Sequence, residues 1–385
     1  MKKFDYIIIG AGCAGLSLVM RMIREGVLQN KKLLLLDRAP KTRNDRTWCF
    51  WEQAPGFFEP VVYRKWDQLL FKSPYYSAIL DIDPYAYKMI RGVDFYRYCF
   101  EEIRNQSSIE IKYAKVKSLK RENDRIKIET DEGPLAYECA TVFNSIYAPP
   151  AKERGKHYLL QHFKGWTIEA RPNAFNPEQA LFMDFRIDQQ EGLSFIYMLP
   201  VSDHRALVEY TQFSGKLLKD EVYDARLRDY ISSTLGLKTF EVVDTEFGVI
   251  PMTNHPFAKH EKGVWNIGTA GGQTKASTGY TFQFIQKQAD QIANALKMDP
   301  LKLNPAPVTS SRFQFYDGVL LRILEQGKPP GREVFTRLFQ KNRASEIFCF
   351  LDNESKFGSD LKIIHSLPTW PFTRAAISEI WNRLI

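Results

Sequence analysis

Three glycines near the start of the chain are spaced for dinucleotide binding. Gly10, Gly12 and Gly15 form a GxGxxG pattern in GAGCAG. In such a pattern the first glycine allows a tight turn, the second lets a pyrophosphate approach the backbone, and the third lets a helix pack on a strand. Asp37 closes the next apolar stretch, where an acid can bind ribose hydroxyls. The alternative is a glycine-rich turn that binds no ligand.

The second candidate for chemistry is Glu209, an acid in the middle of the apolar stretch LVEYTQFS (207–214). The preceding stretch LSFIYMLP (193–200) is apolar on both faces, and VSDHRA (201–206) between them predicts a hairpin turn. Glu209 then either points to water from a half-exposed strand or faces an apolar interior. In an apolar interior its carboxyl group would keep its proton near neutral pH, because burial disfavours the charged form.

The hydrophobic pattern predicts the elements that position these groups. FDYIIIG (4–10) and KLLLLDR (32–38) are continuous apolar runs, typical of strands buried on both faces of a parallel sheet. Residues 14–28 between them have helical periodicity. Together they predict a βαβ unit, followed by a helix over 93–103 and a β-meander over 109–146.

The remainder of the chain alternates between strand-rich and helix-rich parts. Residues 43–89 predict short antiparallel strands, and 155–245 predict further strands with one helix near 219–235. A helix is predicted over 280–296, and the chain from about 311 onward is rich in helical patterns.

The composition excludes several classes of protein. The chain has 385 residues, of which 44% are hydrophobic and 25% charged, as in globular proteins with a sizeable core. A net charge of +8 suits an anionic membrane surface or simple solubility, and the absence of long Lys/Arg runs argues against nucleic acid. The five scattered cysteines predict reduced thiols and a cytoplasmic protein without a metal site. Neither a signal peptide nor a membrane-spanning helix is predicted.

A second glycine-rich segment, NIGTAGGQTKASTGYTF (266–282), leads into the predicted helix far downstream. A Rossmann unit, an inserted antiparallel sheet and such a segment, in this order, resemble the FAD-binding hydroxylase and reductase superfamily. The chain departs from that superfamily in two motifs. Gly268-Thr269 stands where the usual pair is Gly-Asp, and the usual aspartate of the middle motif is missing from FNSI (143–146).

The departures fit a narrower family, because the chain resembles the bacterial lycopene β-cyclases from residue 4 to beyond 350. The most specific parts are Thr278-Gly279-Tyr280 and the acid in the Glu209 strand. The motifs that carry the resemblance, in chain order, are NDRTWCFWE (44–52), QHFKGW (161–166), MDFR (183–186), FIYMLP (195–200), LVEYTQFS (207–214), EFGVIPM (246–252), GTAGGQTKASTGYTF (268–282) and FYDGVLLRIL (315–324).

The resemblance implies an α/β fold built on a Rossmann-like FAD-binding domain. That domain comprises 1–42, 90–150 and 245–300, with an inserted antiparallel β-sheet substrate domain at 43–89 and 151–244 and a helical C-terminal region at 301–385. The implied cofactor is FAD in its reduced form, with NAD(P)H as reductant. Its expected contacts are Gly10, Gly12, Gly15, Asp37, Gly268, Thr269, Gly271, Thr278, Gly279 and Tyr280.

The implied reaction converts lycopene to γ- and β-carotene, as an intramolecular lyase or isomerase with no net redox change. A proton adds to a terminal double bond, the neighbouring double bond attacks the cation, and proton loss leaves a β-ionone ring. Glu209 corresponds to the acid of the family's strand motif. Further candidates for the substrate site are Glu246, Asp184, Trp48, Trp51 and Trp166. The alternative for Glu246 is a structural role, and for Asp184 it is an internal salt bridge. For the three tryptophans the alternative is packing in the core.

The expected substrate dissolves in bilayers, so peripheral membrane attachment is predicted, through a basic face and exposed aromatic residues in the helical tail. Association with other carotenoid-pathway enzymes is a further prediction. Three rivals stay open: an FAD-dependent prenyl reductase, an aromatic monooxygenase and a non-catalytic isoprenoid carrier.

Overall fold

A computed structural model describes residues 2–122, 125–151, 153–261 and 263–384. The strands are β1 (Lys3–Ile9), β2 (Leu33–Asp37), β3 (Thr47–Glu52), β4 (Arg64–Trp66), β5 (Gln68–Ser73), β6 (Tyr76–Asp81), β7 (Ala86–Arg91), β8 (Ile109–Tyr113), β9 (Val116–Glu122), β10 (Arg125–Thr130), β11 (Gly133–Asn144), β12 (Tyr158–Glu169), β13 (Gln179–Asp184), β14 (Leu193–Pro200), β15 (Arg205–Ser214), β16 (Glu241–Thr253), β17 (His260–Glu261) and β18 (Val264–Asn266). The helices are α1 (Cys13–Arg24), α2 (Gly92–Arg104), α3 (Asp220–Asp229), α4 (Phe282–Met298), α5 (Ser311–Gln326), α6 (Gly331–Lys341), α7 (Ala344–Leu351), α8 (Phe357–Ser366) and α9 (Thr369–Leu384).

The first sheet has the order β17-β18-β11-β1-β2-β8, and β10 and β9 extend it from β11 as an antiparallel meander. Strands β18, β11, β1, β2 and β8 run parallel. Every residue of β2 is buried, as expected for a strand covered on both faces. Helices α1 and α4 pack against each other. The predicted Rossmann-like unit and the α/β fold class are therefore confirmed.

The second sheet has the order β16-β12-β15-β14-β13-β5-β6 and is antiparallel except for the β13–β5 pair. The predicted strand-rich segment 43–89 is divided, because β5 and β6 join this sheet whereas β3, β7 and β4 form a small sheet of their own. Strand β16 pairs with β12 from Tyr158↔Thr253 to Glu169↔Glu241. It therefore lies in the antiparallel sheet, although its second half falls within the predicted 245–300 part of the FAD-binding domain.

The two faces of the antiparallel sheet have different partners. On one face, β12 and β15 pack against α3, around the buried side chains of Trp166, Val208 and Tyr223. On the other, the sheet meets the helical C-terminal region, and Tyr197 and Leu207 belong to the shared core. Because successive residues of a strand alternate between faces, Glu209 lies on the same face as Leu207. Strand β15 therefore directs Val208 into the core beneath α3 and Glu209 to the opposite face of the sheet.

Candidate active site

A single cavity of about 640 Å³ connects the glycine turn of the Rossmann unit to the middle of the antiparallel sheet. Gly10, Gly12 and Asp37 line one end, and Glu209 and Glu246 line the other. A volume of this size is typical of small-molecule and cofactor sites, which span about 300–1,000 Å³. The two candidate motifs of the sequence therefore face the same space.

The glycine turn has the three roles expected of its spacing. Gly10 has a φ of 98°, a conformation that favours glycine. A Cβ atom at Gly12 would have no neighbour within 4 Å, so the backbone there is open to a ligand. A Cβ at Gly15 would lie 1.9 Å from the Gly10 carbonyl oxygen, so this glycine permits close packing. Helix α1 begins at Cys13 beside the cavity, and its free N–H groups suit a phosphate.

Asp37 is buried at the end of β2, and the chain fixes its carboxylate. Its Oδ2 accepts a hydrogen bond from the Ala11 N–H at 2.6 Å, and its Oδ1 accepts one from the Ala39 N–H at 3.2 Å. The Lys41 ammonium group lies 3.4 Å from Oδ1. The carboxylate is thus held at the cavity wall, where its remaining acceptor capacity suits ribose hydroxyls.

The second glycine segment divides into cavity-lining and packing residues. Thr269, Thr278, Gly279 and Tyr280 line the cavity. Two other glycines of the segment do not, although the sequence had suggested cofactor contacts for both. A Cβ at Gly268 would lie 2.6 Å from the Cβ of Ala14, and a Cβ at Gly271 would lie 2.3 Å from the Asn266 carbonyl oxygen. Both glycines therefore let this turn pack closely, and one of its contacts is with α1.

Two buried polar atoms at the cavity have no hydrogen-bond partner in the described part of the chain. They are Oε1 of Gln161 and Oγ1 of Thr278. Gln161 approaches the backbone of Gly279 so closely that a Cβ there would lie 2.1 Å from Oε1. A buried polar group left unsatisfied costs about 1–3 kcal/mol, so these atoms fit a ligand with its own donors and acceptors. A flavin dinucleotide has both, and the residues present fit FAD.

At the other end of the cavity, Gly165 separates two acids on neighbouring strands. In the sheet register Gly165 of β12 is paired with Glu209 of β15 on one side and with Glu246 of β16 on the other. A Cβ at Gly165 would lie 2.9 Å from Cδ1 of Leu207 and 3.1 Å from Cγ of Glu246. Because glycine leaves this space free, the two carboxyl groups lie close enough above β12 for each to influence the pKa of the other.

Each acid of this carboxyl pair, Glu209 and Glu246, also accepts a hydrogen bond from a threonine. Thr211 Oγ1 donates to Oε1 of Glu209 at 2.8 Å, and Thr47 Oγ1 donates to Oε2 of Glu246 at 2.6 Å. Both acids are half-buried, and both line the cavity. The alternative in which Glu209 simply faces bulk water from an open strand is therefore not what the structure shows.

The protonation of the carboxyl pair follows from its surroundings. Burial raises the pKa of Glu209 well above its usual range, and the charge of Glu246 raises it further. Burial also raises the pKa of Glu246, against the opposing effect of the hydrogen bond from Thr47. Two carboxylates this close do not both ionise easily, so the surroundings favour a proton on the pair, and the larger rise in pKa favours Glu209 as its position.

Aromatic side chains complete the wall around the carboxyl pair. Tyr197, Tyr280, Tyr87 and Trp48 line the cavity, and the hydroxyl groups of Tyr197 and Tyr280 lie 3.3 Å apart. Burial raises the pKa of Tyr197 well above its usual range, so its ring stays neutral. The faces of neutral aromatic rings attract cations. The site thus combines a buried acid with a surface that stabilises positive charge.

Two of the three tryptophans suggested for the substrate site lie outside the cavity lining. Trp51 is 2% exposed and stacks on Phe348 at a centroid distance of 4.4 Å. Trp166 follows Gly165 and so points to the opposite face of the sheet, where the Arg228 guanidinium lies 5.1 Å from its ring. Both are core residues, whereas Trp48 lines the cavity.

Asp184 also lies away from the cavity, in an internal salt bridge. It is fully buried, and its Oδ2 accepts hydrogen bonds from the Arg186 guanidinium at 2.6 Å and from the Tyr230 hydroxyl at 2.8 Å. This environment satisfies the carboxylate with partners on the α3 side of the sheet. Asp184 therefore forms an internal salt bridge and does not line the cavity proposed as the substrate site.

Sequence reasoning missed Gly165, Thr47, Thr211 and Gln161 as parts of the site. Thr211 could have been predicted from the sequence, because strand alternation places it on the same face as Glu209. Gly165 and Thr47 could not, because each contacts Glu246 only through the pairing of strands that lie far apart in the chain. Gln161 lies in the motif QHFKGW, but a polar residue there does not by itself indicate a ligand contact.

Comparisons with known proteins show the family and the fold of the chain. The family model described as lycopene cyclase protein matches residues 5–377. A lycopene beta-cyclase of Paracoccus sp. is 27% identical, over 75% of this chain and 73% of the relative, and one of Pantoea ananas is 24% identical, over 75% and 74%. The fold is similar to that of a flavoprotein/dehydrogenase from Cytophaga hutchinsonii, with a TM-score of 0.66 and 12% identity over 99% of this chain and 100% of that one. With its family model matched over nearly its whole length, the chain belongs to the lycopene cyclase family.

Proposed function

We propose that the protein is a lycopene β-cyclase, which forms β-ionone rings on lycopene by acid-initiated cyclisation with FAD bound. The single observation that carries this proposal is the carboxyl pair, two half-buried acids side by side in a cavity that also reaches the glycine turn. An alkene is a weak base, so its protonation needs an acid that is still protonated near neutral pH. Glu209 meets that requirement because burial and its acidic neighbour both raise its pKa.

In the proposed reaction Glu209 donates its proton to a terminal double bond of the substrate. The neighbouring double bond attacks the resulting cation and closes the ring, and loss of a ring proton gives the β-ionone product. One proton is gained and one is lost, so γ- and β-carotene form as isomers of lycopene without net redox change. Thr211 and Glu246 hold the Glu209 carboxyl group in place before and after transfer.

The walls of the cavity have a second part in the proposed reaction. The rings of Tyr197 and Tyr280 line the cavity near Glu209, and their faces would stabilise the charge of the carbocation without reacting with it. Reduced FAD, when bound, would supply negative charge that stabilises a cation. Gly12, Asp37 and Gln161 would hold it through the phosphates, the ribose and a ring N–H group. NAD(P)H as reductant and association with other carotenoid-pathway enzymes stay predictions.

Expression in a lycopene-producing bacterium, with chromatography of the extracted pigments, tests the proposal. A cyclase yields γ- and β-carotene. The rivals differ in their balance of reagents, because a prenyl reductase consumes one hydride per double bond and a monooxygenase consumes oxygen. Stoichiometric loss of NAD(P)H with unchanged ring content would contradict the cyclase, and purified protein free of flavin would favour the carrier.

Asp37→Ala is expected to lower flavin affinity in a protein that still folds. Hydrogen bonds to a charged group contribute about 1.5–3 kcal/mol, so the dissociation constant for FAD should rise at least about tenfold. Flavin absorbance per protein after gel filtration measures this, with circular dichroism as the check on folding. Asp67→Ala is the matched control, because Asp67 is exposed and lies outside the cavity. Full flavin retention in Asp37→Ala would show that the ribose contact is misplaced.

We also propose peripheral attachment to membranes through α9. Trp370, Ile377 and Trp381 are 78%, 63% and 65% exposed, and their spacing places them on one face of this helix, with Arg374 also exposed. Tryptophan and arginine suit the boundary between lipid headgroups and acyl chains. Within the residues described, no helix has the length and apolar character needed to cross a bilayer.

The double substitution Trp370→Ser and Trp381→Ser should weaken binding to vesicles that contain anionic lipid, because it removes the large apolar side chains of this face. Co-sedimentation with such vesicles at low salt measures the bound fraction. Tyr75→Ser is the matched control, since Tyr75 is 76% exposed in the β5–β6 turn. Equal sedimentation of the double variant and the wild type would exclude α9 as the attachment site.

A further inference from the structure

The cavity is too small to hold the whole of the proposed substrate together with FAD. The cavity has a volume of about 640 Å³ and is lined by residues from Gly12 to Glu209. This space includes the part of the cavity that FAD would fill. A single drug-sized ligand fills a pocket of about 300–1,000 Å³. With FAD in place, only one end of a long carotenoid chain can lie beside the carboxyl pair. The remainder of the chain must leave the cavity on one of its sides.

The side toward the helical C-terminal region is closed. Tyr197, Leu199 and Leu207 line the cavity there and are 8%, 3% and 6% exposed. They belong to the same core as Phe335 of α6 and Phe348 of α7. A chain leaving on this side would have to displace packed core side chains, which costs about 1–3 kcal/mol or more for even small insertions.

The side toward β16 is open. Strand β16 is an edge of its sheet within the described residues, and the cavity reaches its backbone from Phe247 to Pro251. Ile146, after the end of β11, also lines the cavity and is 44% exposed. On the cavity face this part of β16 presents Gly248 and Ile250, whereas Phe247 and Val249 alternate to the opposite face, where the Phe247 ring lies 5.6 Å from that of Tyr223. The cavity lining at this edge is therefore apolar, and a chain that passes over the edge would also meet Phe247 and Val249, which are 46% and 39% exposed. An apolar opening of this kind suits an apolar ligand rather than a charged one.

One aromatic side chain lies beside the carboxyl pair on the cavity face of β12, between Gly165 and Gln161. Phe163 lies on the cavity face of β12, next to Gly165, and is paired in register with Gly248 of β16. Its ring lies directly on Gly248, since a Cβ atom there would lie 2.2 Å from Cζ of Phe163. Gly248 has no positive φ angle, so the glycine is needed for space and not for backbone conformation. The ring and the glycine together determine how wide the opening is.

We propose that the carotenoid chain leaves the cavity across β16, over Gly248, with the Phe163 ring as the movable wall of this exit. One end of the substrate lies at the carboxyl pair while the rest lies outside, against Ile146 and the edge of β16. The inference rests on the proposed carotenoid substrate and adds a binding site for the part of the chain that does not react. Each binding event then forms one ring. To form the second ring, the carotenoid must dissociate and bind again with its other end at the carboxyl pair.

Three variants test this exit with lycopene itself as the probe. Gly248→Ala places a methyl group where the Phe163 ring now lies and forces the ring into the exit, whereas Phe163→Ala removes the ring, and the double variant combines them. Gly215→Ala is the matched control, because a Cβ there has no neighbour within 4 Å and the residue lies outside the cavity. Flavin-loaded proteins are compared for kcat, KM, and lycopene binding measured by quenching of tryptophan fluorescence.

Gly248→Ala is expected to raise KM and the dissociation constant for lycopene about tenfold, the effect of an extra methyl group in an apolar site, while flavin content and kcat stay unchanged. In the double variant the added methyl group has nothing to displace, so it should behave like Phe163→Ala alone. A Gly248→Ala protein with the KM of Gly215→Ala and wild type would overturn the exit. A Gly248→Ala protein that loses only kcat or only flavin content, with an unchanged KM for lycopene, would also overturn the exit.

The same measurements separate this inference from the proposed activity. If the wild type forms rings but Gly248→Ala binds lycopene normally, the exit is wrong and the cyclase stands. If Gly248→Ala weakens lycopene binding while the wild type forms no ring, the exit stands and the cyclase is wrong. A wild-type protein that neither binds nor cyclises lycopene overturns both.

Discussion

Glu209→Gln should fold, bind flavin and form rings about 10²- to 10⁴-fold more slowly than the wild type, the usual contribution of a positioned acid. Glutamine keeps the shape of the side chain and accepts the Thr211 hydrogen bond, but it has no proton to give to an alkene. The initial rate of ring formation, measured by chromatography on flavin-matched samples, gives the effect. Glu191→Gln is the matched control, because Glu191 is exposed and lies outside the cavity.

Two further readouts bear on the same substitution. In deuterated water each ring formed by the wild type should gain one solvent-derived deuteron. Stability should respond as well: a raised carboxyl pKa makes the proton of Glu209 stabilising at low pH, and this stabilisation is lost as pH rises through the raised pKa. Glu209→Gln should therefore unfold at an equal or higher temperature than the wild type above neutrality. A variant that makes β-carotene at the normal rate would rule out Glu209 as the acid.

Glu246→Gln should move the pH dependence of the reaction rather than abolish it. The charge of Glu246 is one of the causes that raise the pKa of Glu209, and an amide in its place carries no charge. The pKa of Glu209 should then fall, so the loss of activity with rising pH should begin at a lower pH. At pH values above the pKa of Glu209 in both proteins, the rate follows the protonated fraction of this acid. A fall of the pKa by about one pH unit should therefore lower the rate there about tenfold.

The profile of kcat against pH measures this effect, with flavin content determined at each pH. At the acid end of the profile Glu209 is protonated in both proteins, so their rates should agree. Glu241→Gln is the control on the same strand, because Glu241 is exposed and lies outside the cavity. An unchanged profile would mean that Glu246 does not influence the acid, and a rate lowered equally at every pH would indicate a purely structural role.

Local patterns predicted much of the fold. The apolar runs of β1 and β2 and the glycine spacing predicted the Rossmann-like unit, because burial on both faces leaves a direct mark on composition. Alternation placed Glu209 and Thr211 on one face, since the period of a strand is two. The cavity now shows that this face is also the one that meets the glycine turn.

Pairings between distant segments could not be predicted in the same way. That Glu246 joins Glu209 above Gly165 depends on the register of three strands, and no local pattern specifies it. For the same reason the second half of β16 was expected with the FAD-binding domain, whereas the whole strand pairs with β12 in the antiparallel sheet. Trp51 and Trp166 illustrate a second limit of sequence patterns, because an aromatic residue has the same local signature in a core as in a cavity.

The carboxyl pair and its two threonines come from β3, β15 and β16, with β12 between the two acids, so the acid is a late product of folding. Contacts between residues this far apart form slowly, because the closure of long loops costs entropy before any contact offsets it. Until β16 has paired with β12, Glu209 has neither its acidic neighbour nor the finished cavity around it. In a chain still emerging from the ribosome Glu209 is therefore expected to be an ordinary ionised glutamate, and the proposed acid exists only when the sheet is complete.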